Sequence, residues 1–126
     1  MSDEKYLEAR LRSIRIAIDG LRQVIITQQN ARIHAVATLL VFFVGILLKL
    51  STLEWSLLLL VVGFVWAAEI INTAIEDLVN LVSSENTPSA KRIKDISAGA
   101  VLVSVIVSIV VGLLIFGPRL WAWIIE

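Results

Sequence analysis

Three runs of apolar residues limit what this chain can become. They read "IHAVATLLVFFVGILL" from Ile33, "LLLLVVGFVWAAEIINTAI" from Leu57, and "AGAVLVSVIVSIVVGLLIF" from Ala98. Each is close to the roughly 20 residues that cross the ~30 Å hydrocarbon layer of a bilayer. Lipid offers no hydrogen bonds to a bare backbone, so each run is predicted to be an α-helix. The spans place membrane-helix regions at about 33–50, 55–82 and 88–116, with the last beginning outside the bilayer. At 58% hydrophobic residues the chain is greasier than a soluble domain, where roughly 45–50% is usual. Its 126 residues form a single membrane domain, all-α. The balance of 11 basic and 11 acidic residues gives no nucleic-acid footprint. No cysteine is present, which excludes disulfides, thiolate metal sites and a cysteine nucleophile. The single histidine, His34, excludes a histidine-rich metal site within one chain.

The segment ahead of the spans, about 5–28, is of another kind. Leu7, Leu11, Ile14, Ile18, Leu21 and Ile25 recur at three- and four-residue steps, with Lys5, Arg10, Arg12, Arg15, Asp19 and Arg22 between them. It is charged throughout and has no apolar core of the signal-peptide kind. An amphipathic helix with a basic face lies on a membrane surface; the competing reading is a solvated helix whose apolar side packs on the bundle. Connections are short. Ser51 and Glu54 fit a capping box that starts the second span, and Thr87 followed by Pro88 reads as an N-cap and first helical position. Basic residues cluster before the first span and at Lys91, Arg92 and Lys94, whereas the other side holds Lys49 and Arg119. The positive-inside rule then predicts a cytoplasmic N-terminus and an external C-terminus, with Trp55, Trp121 and Trp123 at the outer interface.

Within the second span, "EIINTAIEDLVN" is anomalous. At about 100° per residue, Glu69, Asn72, Thr73, Glu76 and Asn80 share an arc about 100° wide, opposite Ile70, Ile71, Ile75 and Val79. A carboxylate in a spanning helix costs a few kcal/mol at the bilayer centre, so the stripe must face other helices, a cavity or an ion. Helix–helix hydrogen bonding by Glu69 and Asn72, with Glu76 merely interfacial, is one account. Two carboxylates, an amide and a hydroxyl in register favour a functional one. Glu76, nearer the cytoplasm, suits Mg²⁺, which prefers carboxylate, water and phosphate oxygens. Lys91 and Lys94 can neutralise phosphate. Glu69, deeper, can take a proton from a hydroxyl. That set suits phosphoryl transfer from a nucleotide to a lipid alcohol, a reaction that depends mainly on positioning and charge stabilisation. No GxxxxGK[ST] loop is present, so a nucleotide site would be of another kind.

At these residues the chain resembles the small prokaryotic diacylglycerol kinases and the undecaprenol kinases of Gram-positive bacteria. "EIINTAIE", Glu69 to Glu76, is similar to that family's Glu-x-x-Asn-(Ser/Thr)-Ala-Ile-Glu run, and "AKRIKDISAGAVL" to its Lys-Asp pair with small residues following. "RIHA", "LSTLEW" and "LLIFGPRL" look most like the undecaprenol kinase branch, and the likeness covers about residues 19–120. The resemblance implies a homotrimeric helical bundle of three-span subunits in the bacterial inner membrane, with active sites shared between neighbours, transferring the γ-phosphoryl of MgATP to a lipid hydroxyl. By position it implies Glu69 as catalytic base with Asn72 as polar partner, Glu76 as metal ligand, and Glu85, Lys94 and Asp95 at the nucleotide; Thr73 and Asn80 complete the polar stripe.

Two positions depart from the pattern. Gln28 stands where the family has a second metal-binding Glu, and Asn80 where it usually has Asp. Each exchanges an anion for an amide, which predicts weaker Mg²⁺ binding. These exchanges support an alternative, a non-catalytic or weakly active relative that binds nucleotide or lipid; the retained Glu69, Asn72, Glu76, Lys94 and Asp95 oppose it. A cation conduit lined by Glu69 and Glu76 lacks a polar path, since "LLLLVVGFVWAA" offers an ion nothing.

Overall fold

The computed structural model describes residues 3–83 and 87–125. Among them the chain forms four helices, α1 (Asp3–Thr27), α2 (Gln29–Leu47), α3 (Thr52–Val82) and α4 (Pro88–Ile125). The last three are long and apolar enough to cross a membrane. At ~1.5 Å per residue, α3 and α4 outreach the ~30 Å apolar layer, while α2 just matches it.

Two helix starts follow from local chemistry. At α3, Ser51 Oγ accepts from the Glu54 backbone N–H at 3.3 Å while Glu54 Oε2 accepts from the Ser51 N–H at 2.7 Å, completing the expected capping box. At α4, Thr87 Oγ1 accepts from the Ala90 N–H at 3.1 Å, with Pro88 as first helical residue. The last helix runs nine residues beyond the expected end at 116, through Pro118 to Ile125. A proline removes one N–H and crowds the carbonyl four residues back; the apolar "LWAWII" that follows keeps helical register past it.

The frame is the antiparallel pair α3–α4, the most extensive helix contact. On α3, buried Leu58, Val65, Asn72 and Val79 recur every seventh residue; on α4, buried Ala90, Ser97 and Ser104 do the same. A seven-residue seam gives shallow left-handed packing, and small residues let the backbones approach. Arg119 ties one end of the pair: Nε donates to Glu54 Oε1 at 2.8 Å, and Nη1 donates to the Leu48 carbonyl at 3.0 Å. Lys94 ties the other, donating from Nζ to Asn80 Oδ1 at 2.6 Å. Leu50, Leu58 and Ile115 form a small core at the α2–α3 turn, with Phe42 and Trp55 against it.

α2 joins this frame through one side-chain bridge inside the apolar layer. Trp66 Nε1 on α3 donates to Thr38 Oγ1 at 3.1 Å, and Thr38 Oγ1 donates to the His34 carbonyl at 2.7 Å. α1 meets α2 at a joint where Gln28 alone leaves the helix, and Arg32 Nη1 donates to the Ile26 carbonyl across it at 2.9 Å. The apolar stripe of α1, from Leu7 to Ile25, is exposed along its length. It does not pack on the other helices of its own chain.

Candidate active site

Where α2, α3 and α4 meet, toward the α3–α4 connection, a cleft of about 280 Å³ is lined by Asn30 and His34 of α2, Glu69, Asn72 and Glu76 of α3, and apolar residues of α4 such as Val101 and Val105. Its α3 wall is the polar stripe read from the sequence. Helical spacing brings Glu69, Asn72 and Glu76 to one side, and the heptad seam turns that side inward.

Burial is steepest at Glu69, which is 1% exposed and the largest side chain in the described chain to be so enclosed. Its Oε2 accepts no hydrogen bond among the described residues; the nearest basic group is His34, with Nε2 at 3.8 Å. Asn72, also buried, donates from Nδ2 to Glu76 Oε1 at 3.0 Å, and its own Oδ1 is left without a donor among the described residues. Burying polar atoms unpaired is costly, so such positions are expected where a ligand completes them. Thr73 is buried but turned back on its helix, donating from Oγ1 to the Glu69 carbonyl at 2.9 Å, and does not line the cleft.

Beyond the cleft, Asn80 and Lys94 pair with each other. Asp95 is exposed on α4, and Gln28 sits half-exposed at the α1–α2 joint, apart from the cleft lining. Glu85 lies outside the described residues. Among those described, no three His, Cys, Asp or Glu residues gather as a metal cage. The donors that are present still fit Mg²⁺. The ion takes hard oxygens, needs only one or two protein carboxylates, and completes its shell with water and phosphate; Glu76 and the unpaired Asn72 Oδ1 supply oxygens of that kind. Sequence reasoning did not find His34 as the neighbour of Glu69. The one available signal was a lone titratable residue inside the first apolar run.

Fold and site together define a multi-pass helical membrane protein with a buried carboxylate in a polar cleft between its spans. Residues 15–116 match the family described as prokaryotic diacylglycerol kinase. The undecaprenol kinase of Bacillus subtilis is 41% identical over 101 residues, covering 80% of this chain and 82% of that one. The diacylglycerol kinase of Escherichia coli K12 is 34% identical over 91 residues, covering 72% and 75%. That of Synechocystis is 36% identical over 101 residues, covering 79% of this chain and 58% of its own. The chain belongs to the prokaryotic diacylglycerol kinase family, and it is a lipid kinase of the undecaprenol or diacylglycerol kinase type.

Proposed function

We propose that this lipid kinase moves the γ-phosphoryl group of MgATP to the hydroxyl of undecaprenol in preference to diacylglycerol, with Glu69 as general base. The observation that carries the reading is the Glu69 carboxylate: enclosed to 1% exposure, with one oxygen unpaired, at a cleft that also holds Glu76 two turns along the same helix. The lipid hydroxyl loses its proton to Glu69 as its oxygen bonds to the γ-phosphorus. The bond from that phosphorus to the β–γ bridging oxygen breaks, and ADP leaves. Glu76 and Asn72 hold the metal; Mg²⁺, when bound, neutralises charge on the phosphoryl oxygens. Gln28 contributes an amide oxygen on the metal side, and Lys94, Asp95 and Glu85 serve the nucleotide. The preference for undecaprenol rests on the higher identity to a relative named for that substrate.

The same reading places α1 on the membrane surface with its stripe, exposed in the single chain, in the headgroup–acyl boundary. It puts the N-terminus in the cytoplasm, the C-terminus outside, and three copies together in the bacterial inner membrane. The experiment is ADP release from MgATP by purified protein in micelles, with undecaprenol, diacylglycerol or no lipid. Release that needs undecaprenol supports the proposal, release only with diacylglycerol corrects the substrate, and nucleotide binding without turnover favours the non-catalytic reading based on Gln28 and Asn80.

A further inference from the structure

Two clefts meet at His34. One is the polar cleft of Glu69; the other, about 360 Å³ and largely apolar, runs beside it along Thr38, Val62, Trp66 and Phe116. His34 and Val105 are among the few residues that line both. Its imidazole is the only basic group within 4 Å of the Glu69 carboxylate among the described residues, with Nε2 at 3.8 Å from Oε2. Both groups are well enclosed, their side chains 17% and 2% exposed. The remaining titratable side chain of the cleft lining is Glu76; the α4 wall adds only apolar residues.

The backbone under this histidine is held as well. Thr38, one turn along α2, donates to the His34 carbonyl, and Trp66, one turn before Glu69 on α3, donates to the Thr38 hydroxyl. Two rungs therefore join α2 to α3 on one face. Trp66 grips Thr38, and one turn along each helix Glu69 faces His34. The lower rung is fixed by hydrogen bonds, which sets the spacing of the upper one.

We infer that His34 is a positioning residue for the Glu69 carboxylate, with its Nε2–H directed at Oε2 so that the other oxygen is presented to the substrate hydroxyl. The inference rests on the kinase reading above. A hydrogen bond needs the two atoms about 0.9 Å closer than they stand, a movement within reach of the Glu69 side chain. The role has a physical reason. A buried carboxylate with no donor turns freely and is poorly solvated, and a reacting group misplaced by about 1 Å can lose about 10²-fold in rate.

The test compares wild type, His34→Ala and His34→Gln in micelles with undecaprenol and MgATP. His34→Ala is expected to lower kcat about 10²-fold while the KM for MgATP stays within about threefold. His34→Gln, which keeps an N–H of similar reach, is expected to recover about tenfold of that loss. Because the chain has one histidine, protein labelled with ¹⁵N-histidine gives one imidazole pair. Its Nε2 resonance is expected to move in Glu69→Gln and to stay in place in Glu54→Gln. This arm needs no turnover and no substitution at position 34. Active wild type with a His34→Ala kcat within about twofold, or an Nε2 resonance indifferent to Glu69→Gln, overturns the role of His34 alone. Wild type that releases no ADP with any lipid alcohol overturns the kinase reading and this inference with it.

Discussion

Gly45→Ala is a sharp probe of how the α2–α3 turn is packed. A Cβ at Gly45 would lie 2.9 Å from Trp55 Cη2, 3.0 Å from Leu50 Cδ1 and 3.1 Å from Trp55 Cζ2. Comfortable carbon contacts begin near 3.5 Å, so the indole would have to retreat by about 0.5 Å. It has little room. Its ring meets Phe42 edge-on, centroids 5.8 Å apart, and Leu50 is buried in the core with Leu58 and Ile115. Overpacking of this kind costs about 1–3 kcal/mol, and alanine's helix propensity returns about 1 kcal/mol. The expected net loss is about 1 kcal/mol, read from reversible denaturation in mixed micelles followed by tryptophan fluorescence. Shrinking the neighbour should remove the penalty, so Gly45→Ala should cost less in a Trp55→Leu background, with a coupling of about 1 kcal/mol. Gly45 lies three turns from His34, so folded variant should keep its kcat. A Gly45→Ala protein more stable than wild type would refute the packing described for this turn.

Two further outcomes concern the site. Lys94→Ala removes the cation at the start of α4 that pairs with Asn80; the KM for MgATP is expected to rise about tenfold with a smaller change in kcat, and an unchanged KM would take Lys94 away from the nucleotide. Gln28→Glu restores a carboxylate at the α1–α2 joint and is expected to lower the Mg²⁺ needed for half-maximal rate. An unchanged requirement would place residue 28 outside the metal shell, in keeping with its distance from the cleft lining.

What could be read from the sequence was whatever depends on short spacing. The Ser51–Glu54 box and the Thr87 cap are contacts across three residues, so their chemistry is written locally. The burial of Glu69, Asn72 and Thr73 follows from helical period plus the cost of polar groups in lipid. Contacts between distant segments were not legible. Trp66 reaches Thr38 across 28 residues, and Arg119 reaches Glu54 across 65; nothing in the local pattern of either pair names its partner. His34 escaped notice for the same reason, since its significance comes from an α3 carboxylate and not from its neighbours in α2. The end of α4 was misjudged because Gly117 and Pro118 resemble a stop, whereas a proline costs a helix one hydrogen bond and local crowding without ending it.

The most direct measurement is transfer of a labelled γ-phosphoryl group from MgATP to undecaprenol, wild type against Glu69→Gln, both shown to be folded and saturated with nucleotide. Loss of the base is expected to slow phospholipid formation about 10²–10⁴-fold while nucleotide affinity holds. Transfer by Glu69→Gln at the wild-type rate would mean that the buried carboxylate is not the group that receives the lipid proton.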